Sequence, residues 1–410
     1  MSLAVGLLHF TAPPVVGGVE TVLRHHARLM ADAGYTVRMI AGRGGPPDPR
    51  AGFVRIAMAD ARHRDVRAVQ RATDLGNVPA GFEPLVDAIA RELTEAVAGL
   101  DIVIAHNVCS LVVNAPLTAA LHRVAAAGRI RRLVAWNHDI AAASDAYRAR
   151  LHDGYPWDLF RQPWPGVTAV TISEARRAEL AAVTGAPVEA IRVVPGGIDR
   201  ARFLGLAPAT IRLLDALDLH AAAPVLLTPA RVTPRKNLEL AVGVAAELRR
   251  AGEDARLIIT GAPDPNDAHA RRHLDELRAL SQASGAAGGV HLLVDGPPEW
   301  RTNRVVSDLF RVVDALFLPS HDEGFGLPVL EAAVCRLPVV CADIPALREL
   351  AGEHATYIDP NGGPEAAAAI VRGRLAGDPA FRLAARARAA FDWDALFEAR
   401  IRPLLLELAA

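Results

Sequence analysis

Leu318-Pro319-Ser320-His321-Asp322-Glu323-Gly324-Phe325-Gly326-Leu327-Pro328-Val329-Leu330-Glu331 reads as the end of a strand, a glycine-rich turn and the start of a helix. The apolar run from Val312 ends at Leu318 in turn residues, Gly324 and Gly326 allow close backbone approach, and Pro328 suits a first helical turn. In that arrangement the backbone N–H groups from Gly324 to Leu327 point outward at the positive end of a helix dipole. A phosphate or a polar sugar edge can accept from them. Glu323 and Glu331 sit eight positions apart, one before the helix and one in its first turns, both toward one crevice.

The same strand-turn-helix unit recurs on both sides of this stretch and predicts an α/β protein. In the first half, Ala4 to Phe10 reads as a strand, Gly18 to Ala33 as an amphipathic helix and Thr36 to Ala41 as a second strand. Further strands are expected at Asp101 to Ala105, Arg132 to Trp136 and Val167 to Ile172, whereas Arg43 to Arg71 reads as an Arg-rich loop. A fresh α/β pattern starts at Pro224, with a helix from Leu238, a strand at Ala255 to Thr260, a polar loop from Asp264 to Ala270 and a strand at Val290 to Asp295. Domains are therefore expected at 1–200 and 201–390, with a C-terminal helix in 391–410.

Composition excludes several classes. A chain of 410 residues, 51% hydrophobic, can bury two sizeable cores, and a net charge of −1 offers no general attraction to nucleic acid. Cys109, Cys335 and Cys341 form no disulfide or metal framework, which fits a reducing, cytoplasmic location. The apolar opening, Leu3 to Phe10, lacks a basic start and reads as a first strand; no apolar run is long enough to span a bilayer. Of 45 basic residues, 44 are Arg, so the single lysine, Lys236, stands out. The cluster Arg62, Arg64 and Arg67 has two readings, a solvated face or a rim for an anionic acceptor or for peripheral contact with the inner face of a membrane.

His138 follows a predicted parallel strand, where crevice ligands of such sheets bind, with Asp139 next to it. Gly17-Gly18 open the first helix at the end of the first strand; taken alone they are a tight turn. Phe391-Asp392-Trp393-Asp394 has D-x-D spacing but no strand end before it, so no metal is expected there.

The opening stretch resembles the E-x7-E motif of the retaining GT-B glycosyltransferases of family 4, and E-G-F-G-L-P-V-L-E is close to its common form. Ala230-Arg231-Val232-Thr233-Pro234-Arg235-Lys236-Asn237 resembles that family's R-x4-K segment, and Gly17-Gly18-Val19-Glu20 its glycine turn. The resemblance implies two Rossmann-like domains facing each other across a cleft, with the donor mainly on the second. It implies that Arg231 and Lys236 converge on the diphosphate of a nucleotide-diphospho-sugar such as a GDP-mannose or UDP-glucose type. Gly324, Phe325, Gly326 and Leu327 would add amides, Gly261 would let backbone approach the nucleotide, Glu331 would accept from ribose and Glu323 from the sugar. His138 would face the transferred sugar, Gly17 and Gly18 would touch phosphate or acceptor, and Asp139 would orient the His138 ring or bind acceptor. Transfer of a hexose to a hydroxyl acceptor, in a glycan, a lipid-linked sugar or a small molecule, is expected with retention and without metal or other cofactor. The alternative is a nucleotide-sugar-binding scaffold or regulatory subunit without transfer.

Overall fold

The computed structural model describes residues 2–264 and 268–410, so 265–267 of the expected polar loop lie outside the described residues. The chain divides into two compact units, Met1–Gly197 with Trp393–Ala410, and Ile198–Asp392.

The first unit is built on a seven-stranded sheet whose paired strands all run parallel: β1 (Ala4–Leu8), β2 (Thr36–Ala41), β3 (Gly52–Arg55), β4 (Ile102–His106), β5 (Leu133–Asn137), β6 (Val167–Thr171) and β7 (Arg192–Val193), in the order 3-2-1-4-5-6-7. Strands with helices on both faces bury both sets of side chains, which is why β4 and β5 are buried at every position. In β1 the period of two sends Leu8 to one core cluster and Val5 and Leu7 to the other, where Trp393, Phe397 and Leu405 from the C-terminal segment pack. That segment runs as Trp393–Leu396, a π-helical turn Phe397–Ile401 and Arg402–Ala409.

The stretch expected to be an Arg-rich loop is partly regular. β3 pairs with β2 at the sheet edge, and Arg64–Asp74 is a helix that buries Val66, Val69, Gln70 and Thr73. Four buried positions per three turns are enough for a helix to dock, and charges on its remaining face hid this from a reading by composition. Arg64 is 92% exposed and pairs with its neighbour Asp65, and Arg43 with Asp60.

The second unit carries a six-stranded sheet, also parallel throughout: β8 (Val225–Thr228), β9 (Arg256–Ile259), β10 (Val290–Leu292), β11 (Ala315–Leu318), β12 (Val339–Ala342) and β13 (Thr356–Ile358), in the order 10-9-8-11-12-13. β10 is shorter than expected, because Leu293–Asp295 turns into a 3-10 helix. In each sheet the winding direction reverses once, between β1 and β4 and between β8 and β11. The loops leaving those strands border the crevice in which open parallel sheets bind ligands.

Candidate active site

The β8 and β11 loops are tied together at the switch point of the second unit. Asn237, in the left-handed conformation at φ 52°, donates through Nδ2 to the carbonyls of Pro319 and Pro360. The His321 amide donates to the Arg235 carbonyl, and the Arg235 guanidinium to the Asp322 carbonyl. This clamp seats the Glu323 side chain, only 8% exposed, against Lys236 Nζ at 2.5 Å and Ser320 Oγ at 2.8 Å, both on Oε1; Arg235 Nη1 lies 3.9 Å from Oε2. Sequence reading assigned Lys236 to phosphate and Glu323 to sugar; the structure joins them in one largely buried ion pair.

Gly326 has φ +87°, and a Cβ there would lie 2.6 Å from Leu347 Cδ2, so the turn needs glycine at this position. Gly324 has open space around it. Gly326 caps the helix Leu327–Val334, and the N–H groups of Gly324, Phe325 and Gly326 find no acceptor among the described residues. Arg231 is exposed and carries no side-chain hydrogen bond or ion pair there either. At Gly261 a Cβ would come 2.2 Å from the Ala230 carbonyl oxygen and 2.7 Å from Arg231 Cα, so glycine here permits a close approach to the β8 loop. Glu331 is exposed on the helix beside a hollow of about 390 Å³ that Asn303, Ser307 and Phe310 also line.

In the first unit, residues at the ends of β1, β4 and β5 converge. Asn107, at φ 61°, accepts through Oδ1 from the amides of His138 (2.7 Å) and Asp139 (3.0 Å) and donates through Nδ2 to Asp139 Oδ2 at 3.0 Å. Ser110 Oγ donates to the Asp139 carbonyl. His138 Nε2 meets His106 Nδ1 at 3.0 Å, and the His9 ring donates through Nδ1 to the His106 carbonyl at 2.7 Å. Burial, with His9 adding to it, pushes His138 down to about 4, and burial beside other imidazoles pushes His26 down to about 3. His106 lies well below its ordinary value for the same reason.

The Glu20 carboxylate folds back under Gly17, where a Cβ would lie 2.0 Å from Oε2, and accepts from Thr11 Oγ1. Phe391 to Asp394 is structural: Trp393 is buried against the His25 ring at 5.1 Å, and Asp394 pairs with Arg28 at 3.1 Å. A separate apolar cavity of about 310 Å³, beneath the helix Glu174–Thr184, is lined by Ala135, Trp164 and Leu180 and by Cys109, whose thiol burial pushes up to about 12. Of the expected site residues it contains none.

Residues 16–202 match Glycosyltransferase Family 4, and residues 215–389 match Glycosyl transferases group 1. The chain belongs to the family 4 glycosyltransferases. The D-inositol 3-phosphate glycosyltransferase of Kineococcus radiotolerans is 34% identical over 250 residues, 57% of this chain and 55% of its own length. That of Xylanimonas cellulosilytica is 34% identical over 237 residues, 56% and 54% of the two chains. This family 4 chain thus spans about half the length of the curated relatives it matches. Among solved structures, a glycosyltransferase from Rickettsia africae aligns over 99% of this chain and 98% of its own at 14% identity, with a TM-score of 0.39, a likeness too low to carry an argument.

Residues that sequence reading of this family 4 chain missed are Asn107, Ser320, Arg235, Glu20, His9 and His106. Asn107 had a legible signal, since Asn following a strand tolerates the left-handed turn that redirects the chain. The histidine contacts had none, because they join three strands distant in sequence.

Proposed function

We propose that this chain is a metal-independent, retaining glycosyltransferase that moves a hexose from a nucleotide-diphospho-sugar to a hydroxyl acceptor. The observation that carries the reading is the Lys236–Glu323–Ser320 cluster beside the unpaired amides of Gly324 to Gly326 and the unpaired Arg231, at the switch point of the second sheet. Arg231, Lys236 and those amides take the diphosphate, and Glu331 at the rim of its hollow accepts from the ribose hydroxyls. Glu323 accepts from a sugar hydroxyl with the oxygen that Lys236 leaves open, which fixes the ring relative to the phosphates.

In transfer, the bond from the anomeric carbon to the phosphate oxygen breaks as the acceptor oxygen bonds to the same carbon from the same face. The acceptor's proton passes to the departing phosphate oxygen, so the protein supplies charge stabilisation and no nucleophile. Fixed cations and helix-end amides are suited to the charge that grows on the diphosphate. The first unit supplies the acceptor side, with Glu20, His9 and His138 as its polar groups. The relatives carry D-inositol 3-phosphate in their names, which makes a phosphorylated cyclitol the first acceptor to test. Among the described residues no helix is long and apolar enough to cross a membrane; we place the enzyme in the cytoplasm, where its three free cysteines stay reduced.

The test is transfer from UDP- and GDP-hexoses to a cyclitol phosphate in EDTA, with the product anomer read by NMR. Retained configuration is expected. An inverted product, or transfer that requires added metal, contradicts the mechanism, and donor binding without transfer to any acceptor in a broad panel favours the scaffold reading.

A further inference from the structure

We infer that His106 fixes the ring tautomer of His138, so that His138 meets sugar or acceptor as a neutral Nδ1–H donor and not as a base. The transfer reading enters only in what His138 faces; the tautomer itself rests on geometry within the first unit.

A neutral imidazole has one N–H and one lone pair. The His106 and His138 planes lie within 27° of each other with ring centroids 5.3 Å apart, so the 3.0 Å contact from Nδ1 to Nε2 is an in-plane hydrogen bond and not a face-to-face stack. One ring donates and the other accepts. His106 is fully buried, and its Nε2 has no partner. If His106 carried its proton on Nε2, that buried N–H would find no nitrogen or oxygen acceptor; of the neighbouring rings, His26, tilted by 57° with its centroid 5.3 Å away, offers at most the weak acceptor of its face, and Trp136 offers no substitute. The His106 and Trp136 planes lie within 28°, so an in-plane N–H cannot point into the indole face. With the proton on Nδ1, only an unpaired lone pair is left inside, and orphaned buried N–H groups are the rarer of the two defects.

His106 is therefore the donor and His138 Nε2 the acceptor, which places the His138 proton on Nδ1. That nitrogen has no protein partner and is not among the sealed-off nitrogens of the core. The Asn107 bonds to the amides of His138 and Asp139 keep the ring from swinging out of this alignment. Burial holds both rings neutral. His106 is thus a positioning residue, acting through His138.

The experiment is 15N NMR of the full chain labelled at histidine, in which protonated and bare ring nitrogens differ in shift. At neutral pH the His138 Nδ1 and His106 Nδ1 signals should be those of protonated nitrogens and both Nε2 signals those of bare ones. His106→Phe should release His138 into a tautomer mixture and lower kcat about tenfold while nucleotide affinity holds; His106→Gln, which keeps an N–H donor, should restore the Nδ1–H signature and most of kcat. A protonated His138 Nε2 in the wild type overturns the inference, whether or not the substituted chains fold. The signature is read without turnover, so an inactive protein with the expected tautomers counts against the transfer reading alone.

Discussion

Lys236 and Glu323 are useful to each other before any ligand arrives. Two ions 12% and 8% exposed would each be costly alone, and the pair at 2.5 Å with Ser320 on the same oxygen makes their burial tolerable. Breaking such a pair from one side costs more than removing it whole. Glu323→Ala should therefore destabilise the second unit by about 3 kcal/mol, and Lys236→Met added to it should recover much of that loss, read as the shift in a urea unfolding transition. Additive losses would show that the two side chains do not act as a pair. Both residues were legible from spacing, since Glu323 opens a glycine turn and Lys236 is the only lysine. Their contact was not, because 87 positions separate them and only the sheet order brings the β8 and β11 loops together.

The loops that carry these side chains are held by a few backbone devices. Gly326 is one: Gly326→Ala should cost roughly 1–2 kcal/mol for the left-handed residue alone, before the contact with Leu347 is counted, and should weaken nucleotide binding. Wild-type nucleotide affinity in a folded Gly326→Ala chain would remove the turn from the donor site. Asn107 is its counterpart in the first unit. Losing its three side-chain bonds in Asn107→Ala should lower kcat about tenfold and leave nucleotide affinity unchanged, because the loop it holds carries His138 and not the phosphate groups. Most strands could be read from apolar runs bounded by turn residues, and the boundaries moved by only a residue or two. Arg64–Asp74 could not, since its docking face is four residues among eleven and the rest is charge and alanine. The end of the Val290 run was also misread, as Gly296 and Pro297 let the chain curl after Leu292.

At the scale of the molecule, two parallel sheets of related winding each bring one cluster of polar side chains to a switch point, and this much followed from the alternating pattern in the sequence. What the pattern could not show is how the first unit holds its histidines. His26 and His138 titrate near 3 and 4 in the folded chain against an ordinary value near 6.5, so the unfolded chain binds their protons first as pH falls. Stability from keeping them neutral is complete above about pH 6.5, shrinks below it, and levels off only when the folded groups protonate. The slope in that window is up to about 1.4 kcal/mol per pH unit for each group. Denaturation followed by tryptophan fluorescence should show the first unit weakening from pH 7 to pH 5, and His26→Phe should flatten the trend. A pH-independent first unit would mean that these rings are not buried neutral.

The central claim is a donor site in the second unit that grips a diphosphate without metal. Thermal unfolding with UDP, GDP or ADP, each in EDTA, tests it most directly. A ligand at 100 times its dissociation constant adds about 2.7 kcal/mol, so one nucleotide should raise the transition by roughly 5–10 °C, and Lys236→Met should abolish most of that shift. Stabilisation by none of the three, or only after metal is restored, would contradict the account.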